Sequence, residues 1–202
     1  MSCKKSIAIM GGTFDPIHLG HIDMALHCKE KYGLDEVVFI PTGDPPHKVG
    51  RDSTKYHRYE MTKLAVEGYA GFGVSDIEVL RDGKTYTFDT LTQLQEIYND
   101  YDFYYIIGAD TLKELHTWYR VHDVVKMTGF IVVGRTGIDG SKFKHLISEV
   151  KRDLGANIID AQYMGLDISS TQVREYAKNG NDLTRLVPQE VLEYIVKNEL
   201  YV

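Results

Sequence analysis

Two kinds of hydrophobic pattern alternate along the chain. Short runs rich in β-branched and aromatic residues predict strands at Ser6 to Met10, Glu36 to Ile40, near Phe72 to Ile77, Phe103 to Ile107, Phe130 to Val133 and, more weakly, Asn157 to Asp160. Between them, apolar residues recur three or four apart, the spacing that puts them on one helical face. This predicts helices from about His18 to Tyr32, Tyr56 to Tyr69, Thr87 to Tyr98, a short one around Thr111 to Leu115, Lys142 to Leu154, Ser170 to Lys178 and Pro188 to Leu200. Gly33 stops the first helix, and Pro188 opens the last where a missing amide donor costs nothing.

Strands joined by helical crossovers form a parallel sheet, and near-continuous apolar strands imply that both faces are covered. The expected fold is therefore α/β, a Rossmann-like, doubly wound parallel sheet. With 202 residues and 43% hydrophobic composition, one core is the default: a single domain over residues 1–202 with a C-terminal helical part at about 168–202. The longest irregular stretch runs from Thr42 to Thr54.

Composition narrows the partners. A net charge of -6 with scattered basic residues provides no concentrated positive surface for duplex nucleic acid. No apolar run approaches the roughly 18 residues of a membrane span, and the start MSCKKSIAIM lacks signal-peptide features, so a cytoplasmic protein is expected. Cys3 and Cys28 show no Cys-x-x-Cys spacing and read as free thiols.

In a doubly wound sheet, ligands bind beyond the carboxyl ends of the strands, so the loops there come first. After the first strand stands GGTFDPIHLGH, Gly11 to His21. Glycines permit a tight turn or close approach to a ligand, and the N-terminus of the helix that follows offers amides to an anion such as phosphate. His18 and His21, three apart on one side, can add side-chain donors. Neither the G-x-G-x-x-G dinucleotide fingerprint nor a P-loop is present, and the His-Glu-x-x-His spacing of zinc proteases is missing. Taken alone, the pair also reads as two surface histidines on an amphipathic helix.

Further along, PTGDPPHK (Pro41 to Lys48) follows the second strand, KTYTFDTL covers Lys84 to Leu91, IIGADTLKELHTWY follows the fourth strand, and ISSTQVR covers Ile168 to Arg174. Thr87 or Asp89 would cap a helix, Ser169 with Gln172 fits a capping box, and Ser170 and Arg174 lie on one helical side. Trp118 reads as core or as a stacking platform, and Arg135 past the fifth strand as structural or functional.

In this order the motifs resemble the bacterial nicotinate-nucleotide adenylyltransferases, within the H-x-G-H nucleotidylyltransferase superfamily. Thr85 stands where that family usually has Ser, which retains the hydroxyl. The resemblance implies adenylyl transfer from ATP to nicotinate mononucleotide, giving nicotinate adenine dinucleotide and pyrophosphate in NAD biosynthesis. It assigns His18, His21, Lys48 and Arg174 to catalysis. Gly11, Gly12, Thr13, Phe14, Gly108, Asp110, Ile168, Ser169, Ser170 and Thr171 would bind ATP. His47, Lys48, Thr87, Trp118 and Tyr119 would bind the pyridine nucleotide. Mg²⁺ is implied on the triphosphate with no protein side-chain ligands, and a homo-oligomer is left open. A phosphopantetheine adenylyltransferase shares the H-x-G-H but lacks the Thr-Tyr-Thr-x-Asp-Thr-Leu segment. A non-catalytic nucleotide sensor would not need His18, Lys48 and Arg174 together.

Overall fold

The computed structural model describes residues 4–43, 53–135 and 139–202. In chain order the elements are β1 (Lys5–Gly12), α1 (Leu19–Tyr32), β2 (Glu36–Pro41), α2 (Lys55–Val66), β3 (Phe72–Val74), α3 (Thr87–Ile97), β4 (Tyr101–Gly108) and α4 (Ala109–Glu114). A 3-10 turn at Leu115–Thr117 leads to α5 (Val121–Met127), β5 (Gly129–Arg135), α6 (Gly140–Leu154), β6 (Ile158–Gly165), α7 (Ser170–Lys178) and α8 (Gln189–Lys197).

The six strands pair in parallel in the order β3-β2-β1-β4-β5-β6. This is the doubly wound arrangement expected from the alternating pattern. The order reverses between β1 and β4, where Ile9 pairs with Val38 on one side and Tyr105 on the other. Loops leaving these two strands turn to opposite faces and leave a crevice at their carboxyl ends.

Side-chain alternation separates two cores. Ala8, Met10, Val37 and Phe39 join residues of α1, α2, α7 and α8, such as Ala25, Met61, Val173 and Val191. Ile7, Ile9, Tyr105 and Ile107 join Leu91, Leu112, Val124 and Phe143 on the opposite face. Burying an aliphatic or aromatic side chain of this size contributes about 1.5–3 kcal/mol, so both faces stabilise the sheet. The C-terminal helices thus pack on the same sheet as α1.

Several boundaries differ from the sequence reading. The strands extend past their apolar cores: β1 runs through Gly11 and Gly12, which pair with Ile40 and Pro41, and β6 runs to Gly165. Apolar runs mark buried side chains, whereas the hydrogen-bond ladder continues into glycines, which add nothing to an apolar pattern. α2 stops at Val66 and α8 at Lys197, each short of the expected end, because Glu67 and Asn198 leave helical geometry. α5 had no counterpart in the pattern; its seven residues are too few to establish a period, and Arg120 at φ 54 separates it from what precedes. Gly33, at φ 60, ends α1 as expected, with its amide bonded to the Lys29 carbonyl.

Candidate active site

A cavity of about 550 Å³ opens at the carboxyl ends of β1 and β4, within the size range of small-molecule sites. Its floor includes Gly11, Gly12 and Gly108. Of the two roles the sequence allowed, the glycines of β1 do not make a tight turn but lie inside the strand, bordering the cavity. A Cβ on Gly11 would collide with the Tyr105 hydroxyl on neighbouring β4, and one on Gly12 with the Phe14 ring, so close packing excludes a side chain at both. A Cβ on Gly108 would meet nothing, which leaves open space above the end of β4.

Phe14 makes the turn, at φ 49, a left-handed conformation that costs a non-glycine residue about 1–2 kcal/mol. Its buried ring offsets this by packing edge-on to His21 at 5.0 Å and against Phe39 at 5.9 Å. The Asp15–Pro16 peptide is cis. His18, nearly buried, caps α1, and its ring stacks on that of His21 with centroids 3.6 Å apart. The His18 amide donates to Nδ1 of His21 at 3.3 Å. An Nδ1 that accepts carries no proton, so the ring N–H of His21 is on Nε2, the far side of the imidazole.

The first-turn amides are less available than the sequence suggested. Leu19 N–H donates to the Leu186 carbonyl at 2.8 Å, and His21 N–H to the His18 carbonyl at 2.9 Å.

α7 forms the adjoining wall. Ser169 is its N-cap and accepts from the Gln172 amide at 3.2 Å, while Ser170 Oγ donates to the Pro16 carbonyl at 2.9 Å. Ile168, Ser169 and Ser170 line the cavity, whereas Thr171 and Arg174 are not among its lining residues. Arg174 Nη1 donates to the Asp15 carbonyl at 2.7 Å, and Nη2 lies 3.4 Å from the Thr171 hydroxyl.

The opposite wall is aromatic. Trp118 is half-buried and edge-on to Tyr105 at 5.6 Å, and exposed Tyr119 packs on Tyr86 at 4.7 Å. Tyr86, not Thr87 or Asp89, occupies the cap position of α3, and Thr87 instead hydrogen bonds with the Tyr105 phenol. Burial, then the nearby Glu78, raises the Tyr105 phenol, which stays protonated. Asp110, on the rim, lies 3.4 Å from the Lys113 ammonium.

Arg58 and Glu78, like Asp15, are buried charged residues to which the sequence reading gave no role. Arg58, on α2, is wholly buried, with Nη1 donating to the Thr13 carbonyl and Nη2 to the Thr42 carbonyl, both at 2.6 Å, and Nη2 also to Gly43 at 3.1 Å. It joins the segments that follow β1 and β2. Glu78 accepts from the Thr90 hydroxyl at 2.7 Å, and burial pushes its carboxyl up from the ordinary value. In sequence both look like ordinary charges on polar stretches. His47 and Lys48 lie outside the described residues, as does the side chain of Arg135.

A parallel sheet with a cavity at its switch point, paired histidines on one wall and rings on the other, defines a Rossmann-like nucleotide-handling protein. The sequence model of the cytidylyltransferase-like family matches residues 9–176, and the chain belongs to that family. It is 43% identical to a probable nicotinate-nucleotide adenylyltransferase of Desulfitobacterium hafniense, over 98% of this chain and 96% of that one. A relative of the same description from Thermoanaerobacter is 41% identical, over 100% and 96% of the two chains. The fold is also that of Plasmodium falciparum nicotinic acid mononucleotide adenylyltransferase complexed with NaAD, with a TM-score of 0.77 at 23% identity, covering 98% of this chain and 97% of that one. Among the described residues no helix is long and apolar enough to cross a membrane.

Proposed function

We propose that the protein transfers the adenylyl group of ATP to nicotinate mononucleotide, producing nicotinate adenine dinucleotide and pyrophosphate in the cytoplasm. The observation that carries this reading is the two-sided cavity: imidazole and hydroxyl donors on one wall suit phosphates, and the Tyr86, Trp118 and Tyr119 rings on the other suit a flat heterocycle. The full-length likeness to relatives so described points the same way.

The 5′-phosphate of the mononucleotide is already an anion at neutral pH, so it attacks the α-phosphorus without a general base. The P–O bond to the β-phosphate breaks, and pyrophosphate leaves with that electron pair. The protein then has to align the two nucleotides and stabilise negative charge as it builds on the phosphoryl oxygens. In this reading His21 Nε2–H and the His18 ring donate to the α- and β-phosphates. The N-terminal turn of α7, with Ser170, Thr171 and Arg174, receives the leaving pyrophosphate. Gly11 to Phe14, Gly108, Asp110, Ile168 and Ser169 border the ATP. Trp118 flanks the pyridine, Thr87 and Tyr119 border its carboxylate, His47 and Lys48 bind the mononucleotide, and Lys48 also neutralises charge in the transfer.

Among the described residues no group of three or more His, Cys, Asp or Glu side chains is gathered that could hold a metal ion. Mg²⁺ fits this site as part of the substrate, bound by triphosphate oxygens and water. Pyrophosphate release measured with ATP and either nicotinate or nicotinamide mononucleotide tests the reading. Release with the nicotinate form is expected to exceed that with the amide. No release with either would overturn it.

A further inference from the structure

Asp15 sits in the turn between left-handed Phe14 and Pro16, only 6% exposed. Its Oδ1 accepts from the Tyr201 phenol at 2.7 Å and from the Ser53 hydroxyl, and the two hydroxyls are themselves 3.2 Å apart. These buried groups come from three distant places: the turn after β1, the residue just before the cap of α2, and the segment after α8. To deliver Tyr201 the backbone adopts φ 49 at Glu199 and φ 63 at Tyr201, two non-glycine residues in the left-handed region. A side chain brought in at that conformational cost closes a particular hydrogen-bond network.

The same turn is held by its main chain. The Asp15 carbonyl accepts from Arg174 and the Pro16 carbonyl from Ser170. Asp15 is therefore the hinge point between a buried hydroxyl pair and the guanidinium assigned above to the leaving pyrophosphate. There is an electrostatic reason to hold its carboxylate firmly. A mobile carboxylate beside a site for a polyanion would repel the substrate and compete for Arg174. Burial raises the Tyr201 phenol, so it remains a donor throughout the working pH range.

We propose that Tyr201, assisted by Ser53, is a positioning residue of the adenylyl-transfer site. Through Asp15 it fixes where Arg174 and the Thr13–His21 turn stand relative to the triphosphate. The inference rests on the reading that this turn faces ATP.

Steady-state kinetics in both nucleotides, with thermal unfolding, on Tyr201→Phe, Ser53→Ala and Asp15→Ala test it. Tyr201→Phe retains the ring and loses only the hydroxyl. Its hydrogen bond to Asp15 is present with and without ATP, so that bond's own energy is lost from folding stability, whereas a misplaced Arg174 and turn should cost roughly tenfold or more in kcat/KM for ATP. We expect that loss with KM for nicotinate mononucleotide unchanged, alongside a lowered Tm. Ser53→Ala should show a smaller loss of the same kind. Combining Tyr201→Phe with Asp15→Ala should cost no more than Asp15→Ala alone, because both act through one contact. A lower Tm with unaltered kinetics, an equal rise in KM for both nucleotides, or full additivity with Asp15→Ala would each overturn the proposal. A fully active His21→Ala enzyme would instead remove the underlying reading of the turn, a different failure from any of these.

Discussion

Around the Thr13–His21 turn, the protein applies side-chain donors to backbone carbonyls: Arg58 to Thr13, Arg174 to Asp15 and Ser170 to Pro16. Across the cavity the rings meet in pairs, Tyr86 with Tyr119 and Tyr105 with Trp118, and Arg120 lies over the Phe88 face at 3.8 Å. The difference follows from what each wall would receive. Tying three carbonyls of one turn to side-chain donors holds that turn in one place, which a site that must position an anion requires. A flat ring asks for shape and a π-face, which aromatic side chains supply with little loss of rotamer freedom.

The largest expected effect is on the phosphate wall. On the role proposed for His21, the His21→Ala enzyme should have kcat lowered about 10²–10³-fold, with ATP binding nearly intact; unchanged turnover in a steady-state assay would break the contrast between the walls. Next comes the aromatic wall. Trp118→Ala should raise KM for nicotinate mononucleotide by about 2–10-fold, the worth of one aromatic pairing, and leave KM for ATP alone. Equal changes in the two KM values would show that Trp118 only supports the fold.

The smallest effect concerns Glu78, between the walls. Burial holds its carboxyl above the ordinary 4.5, against the lowering effect of the Thr90 and Thr85 hydroxyls. A folded-state value above the unfolded one means that the native protein keeps its proton longer as pH rises. This contribution to stability is present below pH 4.5, is lost as pH climbs through the folded value, and is level beyond it. Glu78→Gln should abolish that decline, seen as a flatter plot of Tm against pH in the weakly acidic range. Parallel plots for both proteins would refute the assignment.

How much of this was legible in the sequence depended on how local the cause is. α7 and the cap at Ser169 were readable because both arise within one turn of chain. Gly11 was readable as a site where a side chain is unwelcome, but not for its reason, since the obstructing hydroxyl belongs to Tyr105 on another strand. The His18–His21 pair was visible as a spacing. Its stacked geometry and the acceptor role of His21 Nδ1 required His18 to stand at the cap with extended backbone. Arg58 carried no signal, because a buried arginine on a polar helix reads like any exposed one.

By itself the sequence determined the alternation of strands and helices, the strand ends at which chemistry gathers, and the motif order that resembles one enzyme family. Apolar period and capping are short-range effects, and they survive in any segment read alone. The tertiary structure alone decided which donors meet which acceptors: Arg58 reaches Thr13 across 45 residues, Arg174 reaches Asp15 across 159, and Tyr201 reaches the same aspartate across 186. Hydrogen bonds of that separation depend on the path of the whole chain, and on burial that makes an unmet polar group too costly to leave.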